Sequence, residues 1–110
     1  MTQINLSDYK NIYSQTAKEY LNNLFSSYSK LIANSQDKEA INTVHISSHS
    51  LRSQSQVMGF VSIAEICANI EKISSDVLNG IRRIDDKFMV LLKDSIDELN
   101  LKLAQIEKTP

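Results

Sequence analysis

Val44-His45-Ile46-Ser47-Ser48-His49-Ser50-Leu51-Arg52-Ser53-Gln54-Ser55-Gln56-Val57-Met58-Gly59-Phe60 is the stretch on which the fold turns. At about 100° per residue, Val44, Ser48, Leu51, Ser55 and Met58 fall on one side of a helix, and His49 lies roughly opposite Leu51. Asn42, His45, Arg52, Ser53 and Gln56 all lie within about 60° of His49 by the same arithmetic. The serine-rich part, from Ser47 to Ser55, contains no glycine or proline and keeps the helical apolar interval, so it reads as helix with small side chains and not as a linker. The result is a polar stripe with an imidazole directed to solvent and a cation one turn away.

The same periodicity extends in both directions. Ser7 and Asp8 offer a cap for a first helix in which Ile12, Tyr13, Tyr20, Leu21, Leu24, Tyr28, Leu31 and Ile32 point inward. Asn34 to Asp37 make a polar break, and Asp37 caps the helix that Gly59 stops. Ser62 and Glu65 have the spacing of a capping box for a third helix, whose stripe is Ile63, Ile66, Cys67, Ile70, Ile73, Val77 and Leu78 and whose end falls at Asn79-Gly80. Asp85 and Asp86 place negative charge at the start of a fourth helix with Phe88, Leu91, Leu92, Ile96, Leu99, Leu103 and Ile106 inward. The expected bounds are about 7–33, 37–58, 61–79 and 85–107. Four amphipathic segments with short connections predict an all-α, antiparallel up-and-down four-helix bundle forming a single domain over residues 1–110.

Composition narrows the function. The chain has 110 residues, a formal charge of -1, two glycines and one proline. Nothing here suggests the broad basic surface that nucleic acid or an anionic membrane requires, so a protein or small-molecule partner is expected. The single cysteine, Cys67, lies on an apolar stripe and excludes an internal disulfide, which fits a reducing cytoplasm. No run of about 20 apolar residues is present to span a membrane, and the first residues lack the pattern of an export signal. His45 and His49 have the i, i+4 spacing of a metal pair, but no third ligand accompanies them. Solvated surface with partner contact is therefore the reading of His45, and no metal is expected.

With His49 followed by Leu51, Arg52, Ser53 and Ser55, and by Gly59 ten places on, the sequence resembles the histidine-containing phosphotransfer (HPt) domains of two-component signalling. Ser48-His49-Ser50-Leu51-Arg52 with Met58-Gly59-Phe60 is most similar to the phosphotransfer domain at the N-terminus of chemotaxis histidine kinases of the CheA type. The likeness covers nearly the whole chain. It implies a four-helix bundle, His49 as phosphoacceptor and Glu71, on the next helix, as the carboxylate that orients it. The family usually has lysine where Arg52 stands and glycine where Ser53 stands, and the chemotaxis group often has a second histidine at Ala68. Arginine keeps the charge but is bulkier and planar, and Ser53 adds bulk where a partner approaches.

The resemblance also implies a mechanism. If Glu71 accepts a hydrogen bond from the Nδ1–H of His49, Nε2 is left as nucleophile, and Arg52 can meet phosphoryl oxygens. No Gly-rich phosphate loop is visible, so no cofactor is intrinsic; ATP and Mg²⁺ would come with partner domains. Those partners would be the ATP-binding domain of a histidine kinase and the receiver domain of a response regulator. His45, Ser53, Gln56, Met58 and Phe60 would form the contact face. The chain would then be a phosphocarrier, either free-standing or as part of a kinase. The alternative is a non-catalytic helical adaptor that binds a signalling partner without phosphorylation.

Overall fold

Apolar residues spaced three and four apart cannot all face water, and in the computed structural model, which describes residues 6–108, they form four helical stripes closed on one another. The elements are α1 (Leu6–Ala33), α2 (Lys38–Met58), α3 (Val61–Leu78) and α4 (Asp86–Lys108), with no strand among the described residues. Each helix packs on its neighbour in sequence, and α4 returns to α1, giving an antiparallel up-and-down bundle of 50 × 24 × 21 Å. Leu24, Val44, Leu51, Ile70, Phe88, Leu92, Ile96 and Leu99 are wholly buried along its axis. Each such side chain contributes about 1.5–3 kcal/mol relative to leaving it in water.

Local chemistry sets most of the helix ends. Asp37 accepts a bond from the Ala40 amide at 3.0 Å, capping α2, and Asp85 accepts one from the Phe88 amide at 2.9 Å, capping α4. Past the end of α2, Gly59 takes φ 78°, and the amides of Gly59 and Phe60 reach back to the carbonyls of Gln56 and Ser55. Gly80 repeats this arrangement after α3 with φ 74°, its amide bonding Val77 and that of Ile81 bonding Asp76. Both are left-handed glycine stops that satisfy carbonyls the helix leaves open.

Three expectations are corrected. The helix α1 is already formed at Leu6, so Ser7 and Asp8 lie within its first turn and do not cap it. Ser62 and Glu65 form no capping box, because α3 begins at Val61 and Phe60 takes the cap position without a side-chain bond. The Phe60 ring packs on Tyr13 with centroids 5.0 Å apart, so the residue at the cap position is held by an apolar contact and not by a hydroxyl cap. Finally, Ile12, Ile32, Leu78 and Leu91 are exposed, not inward. Ile12 and Ile32 sit about 100° either side of the Tyr13–Leu31 line, beyond the width that the neighbouring helices cover.

Candidate functional site

The α2 register that buries Val44, Ser48, Leu51 and Ser55 leaves His49 on the flank of the bundle, beside α3. Its side chain is 55% exposed, while Arg52 and Glu71 are 29% and 15% exposed. The imidazole Nδ1 lies 3.1 and 3.0 Å from the two carboxylate oxygens of Glu71. Arg52 grips the same carboxylate with two donors, Nε to Oε1 at 2.8 Å and Nη2 to Oε2 at 3.1 Å. One acid thus receives a ring N–H from one turn of α2 and a guanidinium from the next.

Burial pushes the Glu71 carboxyl up, but the bonds from His49 and Arg52 and the charge on Arg52 outweigh it and hold the group below the usual carboxylate range. An ionised Glu71 can only accept, so Nδ1 of His49 is the donor, and in the neutral form of the ring the lone pair is on Nε2. Arg52 Nη2 also approaches Nδ1, at 3.3 Å. In this tautomer both atoms carry protons, so the approach is a contact and not a bond. Among the described residues no polar side chain bonds Nε2.

The structure also assigns a setting to His45. It is half-buried, with Nδ1 turned toward α3 at 3.4 Å from both the Glu71 carbonyl oxygen and Ser74 Oγ. The expectation of plain solvated surface is therefore corrected, because the α2–α3 seam covers one edge of the ring. Ser74 is the residue that sequence reading missed. It is fully buried and its Oγ lies 2.8 Å from the Ile70 carbonyl and 2.9 Å from that of Glu71. The available signal was a serine in the inward series Cys67, Ile70, Ser74, Val77, where the other members are apolar or a thiol.

Ser53 and Gln56 are exposed on the stripe beside His49, whereas Met58 and Phe60 are half-buried and pack against the core. Cys67, one turn before Glu71, is sealed in the interior, and burial pushes its thiol up to about 12. No group of three or more His, Cys, Asp or Glu side chains is placed to hold a metal ion among the described residues. The open concavities beside Gly59 and Lys102 and beside Asp37 and Arg82 include none of His49, Arg52 and Glu71. The imidazole stands exposed on the flank of the bundle, where a macromolecular partner can reach and cover it.

The described residues thus form an all-α bundle that presents a carboxylate-backed imidazole on its surface. A model of the Hpt domain family matches residues 8–102, and the chain belongs to that family. Among solved structures, the chain is similar to the CheA phosphotransferase domain from Thermotoga maritima, with a TM-score of 0.89 and 26% identity, covering 96% of this chain and 100% of that one. A computationally redesigned four-helix bundle, at TM-score 0.84 and 21% identity, covers 90% of this chain and 97% of that one. A protein with a redesigned hydrophobic core, at 0.82 and 20%, covers 94% and 91%. These last two share the fold. Family membership gives the chain a role in histidine phosphotransfer, and no helix among the described residues is long and apolar enough to cross a membrane.

Proposed function

We propose that His49 accepts a phosphoryl group on Nε2 and passes it to an aspartate of a response-regulator receiver domain. The observation that carries this reading is the 3.0 Å approach of the exposed His49 Nδ1 to Glu71, which leaves the outward nitrogen with its lone pair. In the uptake step the Nε2 lone pair attacks the γ-phosphorus of ATP held by a kinase domain, the bond to the bridging oxygen breaks, and ADP leaves. Positive charge developing on the ring is met by Glu71, which keeps the Nδ1 proton hydrogen-bonded. In the release step an aspartate oxygen attacks phosphorus, the Nε2–P bond breaks, and the electron pair returns to the ring.

Arg52 already donates to Glu71 through Nε and Nη2, so its remaining N–H groups are those that would meet phosphoryl oxygens. ATP and Mg²⁺ belong to the partner domains in this scheme. Ser53 and Gln56, with the accessible parts of His45, Met58 and Phe60, form the proposed docking face, and small side chains there let a receiver cleft close over the imidazole.

The test is incubation with active histidine kinases and labelled ATP. An acid-labile, base-stable label that is lost in His49→Gln is the expected result. Absence of label with several active kinases would overturn the carrier reading in favour of the adaptor.

A further inference from the structure

Two polar side chains meet in the α2–α3 seam where a helix bundle ordinarily packs apolar groups: His45, half-buried, and Ser74, with no exposed surface. Buried polar atoms persist when their donors and acceptors are matched, so the direction of each bond can be worked out. The Glu71 carbonyl can only accept, and His45 Nδ1 lies 3.4 Å from it, so Nδ1 carries the proton. Ser74 Oγ has one proton, which goes to its own helix at the Ile70 carbonyl, 2.8 Å away, or the Glu71 carbonyl, 2.9 Å away. Its lone pairs are thereby left to accept from His45 Nδ1 at 3.4 Å.

Glu71 is therefore engaged from α2 at both ends. His49 and Arg52 hold its carboxylate, and His45, one turn earlier on the same stripe, faces its main-chain oxygen. The two contacts at 3.4 Å are long, and their effect is on register: they tie α2 to the α3 backbone at the residue whose side chain must meet His49.

We propose that His45, backed by Ser74, is a positioning residue that pins the α3 backbone at Glu71 and thereby sets which ring nitrogen of His49 is left open. Its functional meaning rests on the phosphotransfer reading of His49. The proposal also accounts for a serine on the buried stripe of α3, whose hydroxyl supplies the acceptor that completes the set.

The test is the nitrogen-15 spectrum of the His49 imidazole at neutral pH, which reports its tautomer without a kinase. In His45→Phe, which keeps the bulk of a ring and removes the donor, the ratio of Nδ1–H to Nε2–H at His49 is expected to fall by about 2- to 12-fold, the range of an ordinary net hydrogen bond. His45→Asn, whose amide can donate from nearly the same place, is expected to restore it. Ser74→Ala gives a second route to the same shift, so the proposal stays testable if one variant does not fold, with helicity and melting temperature as controls. A His49 tautomer ratio unchanged in the folded variants would overturn the proposal. Kinase labelling separates the two readings: a tautomer shift in a chain that takes no label removes the carrier function and leaves the positioning role, whereas labelling without a shift does the reverse.

Discussion

The α4 wall and the α2–α3 seam stabilise the same bundle by different means. On α4, Phe88, Leu92, Ile96 and Leu99 are fully buried in helical register, and the outer face carries ion pairs such as Lys93 to Asp97 at 2.7 Å. On α2 and α3, Ser47, Ser48, Ser55 and Ser74 are buried in the same helices as Val44, Leu51, Cys67 and Ile70, and Ser55 bonds Tyr13 of α1 at 2.7 Å. Each serine hydroxyl that bonds a carbonyl of its own helix satisfies itself while adding little apolar area, as Ser48 does with Val44 at 2.8 Å. The buried face of α4 is thus apolar, whereas those of α2 and α3 mix apolar groups with hydroxyls. In the α2–α3 seam, Ser74 Oγ lies 3.4 Å from His45 Nδ1 and Arg52 bonds the Glu71 carboxylate.

That contrast can be broken most forcefully from the apolar side. Phe88→Ala removes a fully buried ring and is expected to lower unfolding free energy by about 3–5 kcal/mol, measured by denaturant titration. A loss below about 1 kcal/mol would mean that the Phe88 ring is not tightly packed in the core. Glu71→Ala acts in the opposite sense. It is expected to slow phosphoryl uptake by about tenfold or more, the worth of a hydrogen bond to a charged group, while helicity is retained. Unchanged uptake kinetics would remove Glu71 from the mechanism.

Acid sharpens the same point. The Glu71 carboxyl sits below its ordinary value of 4.5 in the folded chain. A depressed carboxylate contributes stability that is complete above the unfolded value and is lost as pH falls through 4.5 toward the folded one. Glu71→Gln lacks this contribution. The stability advantage of the native chain over that variant is therefore expected to narrow as pH falls through this window, followed by thermal melts at several pH values. A gap independent of pH would contradict the depressed carboxyl. The smallest effect is expected at Ser48→Ala, within about 1 kcal/mol of the native chain, since the carbonyls that it bonds are already engaged in α2.

Much of this architecture is legible from residue order because it obeys local rules. Asp37 caps α2, Gly59 and Gly80 take the left-handed conformation past helix ends, and the arithmetic that opposes His49 to Leu51 correctly places one at the surface and the other in the core. Where two segments must meet, local rules fail. Ser62 and Glu65 have the spacing of a capping box, yet α3 starts at Val61, with Phe60 at the cap position and its ring against Tyr13. At the site, the position of Glu71 was implied by family resemblance. Its two-pronged bond to Arg52, and the meeting of His45 with Ser74, depend on the rotation of α3 against α2, which neither helix encodes alone.

The sealed environment of Cys67 has a practical consequence. It is the chain's one thiol, it has no exposed surface, and its ionisation lies near 12, so maleimide-type reagents at neutral pH have almost no thiolate to attack. A cysteine placed at the exposed Ser53 would then be the sole reactive handle. A fluorophore or spin label attached there would sit one turn from the imidazole, reporting the arrival of a partner without any prior removal of the native sulfur.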